Sequence, residues 1–208
     1  MIKITRLDAP EILRRKATQW SSKLLMARTA KARKAAESKY RNKQIKKLLA
    51  KSFFGKCAYC ESHITHVDYG HIEHFVPKSL EPSLTFQWSN LFLACGICNG
   101  PAHKGDKFPE SEDGGPLVNP CDDEPLDHFR FEFDPKTMLA SVDGITRRGK
   151  VTERILGLNR PELRAYRSKQ VRRIAALARL AETDAEAASL LEQARKSDSE
   201  YAAFARAM

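Results

Sequence analysis

Cys57 and Cys60 form one C-x2-C pair, Cys95 and Cys98 form a second, and 34 residues lie between them. Each such turn aims two thiolates at one point. Two of them supply the four soft ligands that tetrahedral zinc takes in a closed structural site. A disulfide framework is the weaker reading, because five cysteines leave one unpaired and a cytosolic chain keeps its thiols reduced. Cys121 stands outside both pairs and reads as an ordinary thiol. A zinc with four filled positions stabilises a fold but performs no chemistry. Reactive groups are therefore sought between and just after the knuckles, where polar ligands are dense. Glu73 and His74 are adjacent, Asn90 opens an apolar run, Asn99 follows the last paired cysteine, and His103 and Lys104 come soon after.

These residues carry a resemblance. C-x2-C, acid-His-x-x-Pro (Glu73, His74, Pro77), W-x-N-L (Trp88, Asn90, Leu91) and C-x2-C-N followed by Lys104 are similar, in order and spacing, to the zinc-knuckle subclass of HNH nucleases with a ββα-metal fold. The resemblance covers about residues 53–109. It puts His74 at the first His of the name, Asn90 at the Asn, and Asn99 where the final His would stand. A wider resemblance, through IEHFVPKS (72–79), WSNLFLACGICN (88–99), KGDKFP (104–109), PLVNPCDDEPLDHFRFEF (116–133) and RGKVTERILGLNRPELRAYR (148–167), is to the PtuB family, the HNH subunits of Septu-type and retron-associated antiphage systems. It implies a partner, the ABC-type ATPase PtuA; the chain itself contains no G-x4-G-K-[ST] phosphate loop.

The resemblance implies a division of labour. Neutral His74 accepts a proton from water at cellular pH if its other ring nitrogen is held by an acceptor. Glu73 and Asn99 bind a divalent ion that stabilises charge on the phosphate and on the leaving oxygen. An amide oxygen at position 99 favours magnesium or manganese over a second zinc. Asn90 holds the loop between two strands and so places His74. His71 and His103 are additional candidate metal ligands, and Lys78 and Lys104 candidate phosphate contacts. His63, His66 and His128 have no comparable context and stay unassigned.

Around these residues, Ile72–Phe75 is expected to form the first strand and Trp88–Ala94 to open the second arm or the turn into the helix, with a helix after Cys98 returning a ligand and carrying His103 to the same face. Adjacent strand residues point to opposite faces, so Glu73 and His74 can share a site only if the backbone bends or the carboxylate reaches around, and a bend is expected there. His71 falls on the Glu73 side of a regular strand. Trp88 is expected to anchor the core beneath the knuckles, and Phe108 and Pro109 to close the module.

The rest of the chain reads as support. The segment from Pro10 to Ser52 is rich in Ala, Lys, Arg and Leu without internal Gly or Pro, predicting one long helix or two. Phe129–Phe133 alternates and, after a turn at Asp134–Thr137, pairs with a strand from Met138 to Val142. Helices are expected from Thr152, one with Asn159 at its N-cap and Glu162 three residues later, broken near Thr183 and Asp184. The predicted class is α+β: mainly helical, with a small ββα-metal core stapled by a four-cysteine zinc site, plus a β-hairpin. Four segments follow: a basic helical arm (1–52), the HNH core (53–109), a linker and hairpin (110–150), and a helical region (151–208).

The 208 residues carry 36 Lys plus Arg against 26 Asp plus Glu, a formal charge of +10. The charge is regional. Residues 1–50 hold 15 basic and 3 acidic groups, residues 51–150 hold 10 and 15, and the stretch 154–179 holds eight basic groups against Glu162 alone. Two cationic arms around an acidic middle suit a polyanionic backbone and a cation-holding site. The chain lacks an apolar run of membrane-spanning length and a signal-peptide h-region, so a cytoplasmic protein is expected. The function expected is a metal-dependent endonuclease acting on nucleic acid, DNA ahead of RNA, in prokaryotic antiphage defence. Two readings compete: a zinc-stabilised nucleic-acid-binding adaptor without catalysis, favoured by the missing final His, and a free-standing modification-dependent or homing-like nuclease. Ala- and Leu-rich terminal helices leave homodimerisation open.

Overall fold

A computed structural model describes residues 1–208. Three helices come first: α1 (Glu11–Leu25), α2 (Ala30–Glu37) and α3 (Lys43–Ser52). A two-stranded antiparallel sheet follows, β1 (His71–His74) on β2 (Leu91–Ala94), then a single helical turn, α4 (Gly96–Asn99). The hairpin of β3 (Phe129–Asp134) and β4 (Leu139–Gly144) leads to α5 (Arg147–Leu156), α6 (Pro161–Leu180), α7 (Ala185–Ala194) and α8 (Ala202–Ala207). The α+β class holds, with two small sheets in a mainly helical chain.

The N-terminal arm is three helices rather than one or two. Two caps divide it: the Thr29 side chain accepts from the Ala32 amide at 3.1 Å, and Asn42 accepts from the Gln44 amide at 2.8 Å. Such polar side chains satisfy amides that a continuing helix would occupy, and so favour a new start. The last helices differ likewise. α5 begins at Arg147, five residues earlier than expected, with Thr146 capping Gly149. Asn159 does not cap α6, whose first residue is Pro161. Its side chain instead accepts from Val142 N and donates to Val142 O, holding β4 as a third strand would. The break before α7 falls where expected, with Asp184 accepting from Ala187 N at 2.9 Å.

One cluster of 36 buried apolar residues takes members from the N-terminal arm (Leu13, Leu49), the knuckle region (Phe53, Phe92), the hairpin (Phe129, Phe131) and the last helices (Leu156, Phe204). Phe92 lies at its centre, stacked on Phe75 at 5.2 Å between centroids and flanked by Phe53 at 5.6 Å and Tyr59 at 6.0 Å. Phe108 meets Phe75 edge-on at 5.4 Å. Arg167 is also inside, and its two terminal nitrogens meet Leu158 O, Ala140 O and Asn159 Oδ1. The guanidinium thus ties α6 to the hairpin.

Phe92→Ala should destabilise the zinc-loaded protein by about 3–5 kcal/mol, the usual result of emptying a fully packed aromatic site. Equilibrium urea unfolding measures it, and Leu126→Ala at an exposed turn should shift the midpoint negligibly.

Candidate active site and zinc centre

The four paired cysteines converge as their spacing predicts. Their sulfurs all lie within 4.8 Å of one another, and none is in a disulfide. The first knuckle is a tight loop in which Cys57 N donates to Ser62 O and Glu61 N to Cys57 O. In the second, Cys98 N donates to Cys95 Sγ and Asn99 N to Cys95 O, so α4 is the knuckle turn itself. Four sulfurs, largely buried, suit zinc by donor type and by number. Burial pushes the Cys57 thiol well above its usual range, while hydrogen bonds from the other three cysteines hold Cys60 well below it. Arg160 reaches across from the start of α6 and places Nη1 3.6 Å from Cys98 Sγ. Cys121 is elsewhere, its thiol pushed up to about 11 chiefly by burial.

Glu73, His74 and Asn99 line one cavity of about 150 Å³, together with Tyr40, Pro77, Lys78 and Asp106. The expected bend between Glu73 and His74 is absent: β1 pairs regularly with β2 through both residues, and the chain turns only beyond them, at Phe75 and Val76, so the two line the cavity from the strand's end. Asn90 secures that turn: its Oδ1 accepts from Val76 N at 2.7 Å while Nδ2 donates to Val76 O at 3.0 Å and Leu84 O at 3.3 Å. It touches backbone only, as a positioning residue does. Trp88–Asn90 forms a 3₁₀ turn, and the second strand starts at Leu91 rather than Trp88. Trp88 is half-buried at the edge of the core and donates from Nε1 to Leu7 O at 2.8 Å.

His74 is buried, with Nε2 3.0 Å from Thr85 O and its ring edge-on to Tyr40 at 4.6 Å. A carbonyl only accepts, so Nε2 holds the proton and Nδ1 keeps its lone pair. Burial, helped by the charges of Lys78 and Lys104, lowers its pKa to about 4. The ring is therefore neutral at cellular pH.

Lys104 lies inside the protein, with 0% of its surface exposed. Its Nζ is 2.6 Å from Glu73 Oε1 and donates to His74 O at 3.0 Å. The amine is thus turned onto the site from within, away from the surface where a phosphate contact was expected. Tyr59 Oη donates to the same carboxylate oxygen at 3.3 Å. Burial raises the Glu73 pKa, and the Lys104 charge opposes that rise. Removing one partner from such a pair strands the other's charge, at about 3–5 kcal/mol.

Lys78 lines the cavity but is paired with Glu37 of α2 at 2.7 Å. His71 is exposed at the strand's start, its Nδ1 3.4 Å from Asn99 Nδ2. His103 is not brought to the cavity, because turns rather than a helix follow Asn99. Its ring packs over Gly157, the left-handed residue ending α5, where a β-carbon would collide with it.

Several site residues were not legible beforehand. Asp106 follows Lys104 in a tight turn and reaches the cavity mouth. Tyr40 arrives from the N-terminal arm and Thr85 offers only its backbone, so neither gave a motif signal. Arg6 donates to Leu91 O at 2.6 Å, Ser89 O at 2.8 Å and Trp88 O at 3.2 Å, and lies 4.5 Å over the Phe92 ring. It clamps the segment that carries Asn90.

The hard oxygen donors of Glu73, Asn99 and Asp106 around a small polar cavity fit a hydrated divalent ion. Residues 57–105, which hold both knuckles, β1, β2 and the cavity residues Glu73, His74 and Asn99, match the HNH endonuclease family. The chain carries an HNH endonuclease domain. It is 34% identical over 156 residues to the Septu protein PtuB of Bacillus mycoides (strain KBAB4), covering 62% of this chain and 52% of that protein. A second Septu protein PtuB, from Bacillus thuringiensis, is 32% identical over 124 residues, or 59% of this chain and 44% of that one. The chain thus spans about half the length of the curated relatives it matches. No solved structure matches it. The expected retron association draws no support from these matches.

Two measurements follow. Purified protein should carry one zinc per chain by plasma mass spectrometry; Cys98→Ser should lose most of the metal and lower Tm sharply, since structural zinc contributes folding energy directly. Because the His74 pKa lies at about 4, any cleavage that uses its neutral ring should keep a level kcat/KM from about pH 8 to about pH 5.5, without the acid limb near 6.5 that an unperturbed histidine gives.

Proposed function

We propose that this chain is a metal-dependent endonuclease subunit that hydrolyses phosphodiester bonds, DNA ahead of RNA, in prokaryotic antiphage defence beside a PtuA-like ABC-type ATPase. The observation that carries the reading is the meeting of Glu73, His74 and Asn99 at one cavity, with the His74 ring tied through Nε2 to Thr85 O. The partner and the biological setting rest on similarity to the two Septu proteins. The nuclease module is assigned to residues 53–109, with the arm, hairpin and last helices as its supports.

In this mechanism neutral His74 takes a proton from water at Nδ1 as the water attacks phosphorus. Its tautomer is fixed by Thr85 O, and Tyr40 fixes the ring plane. Asn90 and Arg6 hold the turn that sets the ring's position. Lys104 and Tyr59 hold the Glu73 carboxylate in one orientation, so an oxygen is presented without reorganisation. Glu73 and Asn99, with Asp106 at the mouth, would hold a magnesium- or manganese-type ion, which when bound supplies positive charge to the phosphate and leaving 3′ oxygens. The four-cysteine zinc keeps the frame and takes no part in the chemistry. No helix is long and apolar enough to cross a membrane.

Plasmid DNA and RNA should be cut by the wild type with magnesium, alone or mixed with a PtuA-like ATPase. His74→Ala should lower the rate by about 10²–10⁴-fold, the usual contribution of a general base. Equal rates for the two proteins would remove His74 from the mechanism. Salt-sensitive binding without turnover under any divalent ion, with or without the ATPase, would establish the adaptor reading instead.

A further inference from the structure

A groove of about 810 Å³ runs from α3 to the start of β1 and meets the cavity at three shared residues, Tyr40, Ile72 and Asn99. One wall is cationic. Arg41, Lys43 and Lys47 are exposed along it, and none forms an ion pair with a carboxylate of the protein. Lys43 and Lys47 are one helical turn apart and share a face of α3. Arg41 lies over the Tyr40 ring at 5.6 Å, and Tyr40 in turn touches His74. The cationic row therefore leads to the base itself.

The opposite wall holds Tyr69, whose surface is 87% exposed. The loop beneath it is anchored: Asp68 N donates to Ile64 O at 2.7 Å, Lys46 Nζ donates to Gly70 O, and Gly70 takes a left-handed turn at φ +65°. Asp68, the one acid along the groove, has its Oδ1 engaged by Tyr69 N at 2.6 Å. A large aromatic face is thus held open to solvent across a groove from a row of unpaired cations.

We infer that this groove is a track for a single strand of nucleic acid, in which Lys43, Lys47 and Arg41 take successive backbone phosphates and Tyr69 stacks a base, leading the scissile phosphodiester to His74. Charge plus one exposed ring is the chemistry of sequence-tolerant single-strand binding. A closed duplex stacks its bases on one another and offers Tyr69 no free face; a single or locally opened strand does. The inference rests on the nuclease reading for the strand's destination, but the groove's occupancy is tested without cleavage.

The test is fluorescence anisotropy of the zinc-loaded full chain, without added divalent ion, against labelled (dT)20, (rU)20 and a 20-base-pair duplex over a salt series. Tighter binding of one or both single strands than of the duplex is expected, and the two sugars decide between DNA and RNA. Lys43→Gln with Lys47→Gln should make the slope of log affinity against log salt shallower by about 1.4, two phosphates at about 0.7 each. Tyr69→Ala should weaken single-strand binding about tenfold with the slope unchanged, and Tyr69→Phe should restore it. A pair of equal charge change outside both cationic arms, Lys136→Gln with Lys150→Gln, should leave the slope as in the wild type. Preference for the duplex, wild-type affinity in Tyr69→Ala, or an equal slope change from this outside pair would overturn the track. If strand binding behaves as described but no probe is cut with magnesium, either alone or with a PtuA-like ATPase added, the nuclease reading fails and the groove stands. If the groove pair cuts with wild-type kcat/KM, the groove fails and the nuclease stands.

Discussion

Four sulfur atoms brought within 4.8 Å of one another, from turns 34 residues apart in the chain, set the condition that everything around the site obeys. The intervening residues must leave the first knuckle and return to the second, and the economical route is out along β1 and back along β2. That path places Glu73 opposite Phe92 and His74 opposite Leu91. One face of the sheet is thereby committed to the apolar core, and the strand's end is left to the chemistry. Burying four thiolates is possible only with a cation among them. Metal, sheet and site therefore form or fail as one unit.

A second tier of polar contacts converts this frame into fixed positions. Lys104, Tyr59 and Glu73 form a closed set inside the protein. Asn90 joins the turn after His74 to the residues before β2, and Arg6 holds that segment from the far side. Each of these groups acts on backbone or on a buried carboxylate. In so dry a setting their partners are fixed geometrically, because an unmade bond would be costly. The N-terminal segment is accordingly part of the site's scaffolding, although it supplies none of its motif residues.

Much of this was legible from spacing. The knuckles, the hairpin and the helix break at Asp184 follow from local patterns, whereas the grouping of Glu73, His74 and Asn99 is implied by the family resemblance alone. What escaped is what tertiary contact decides. Lys104 looked like a surface cation because charge is seldom buried; only the fold shows the carboxylate that compensates it. His103 was assigned to a helix that the knuckle turn ends after four residues. Asn159 had the right neighbours for a cap, yet β4 needed a partner for Val142 and took its side chain. Thr29 and Asn42 give no such signal, because neither Gly nor Pro marks the breaks they cause. Arg6 and Tyr40 act on segments more than thirty residues away, a distance over which periodicity carries no information.

The 3.6 Å approach of Arg160 to Cys98 reaches beyond local geometry. A tetrathiolate zinc carries two negative charges, and this guanidinium is the cation that the second half of the chain lends to them. Nearby sulfurs hold its pKa above the ordinary value although burial works the other way. The last helices are thus an electrical counterweight to the cluster, so a shortened chain ending before α6 would keep every catalytic motif and yet hold an uncompensated dianion at its centre.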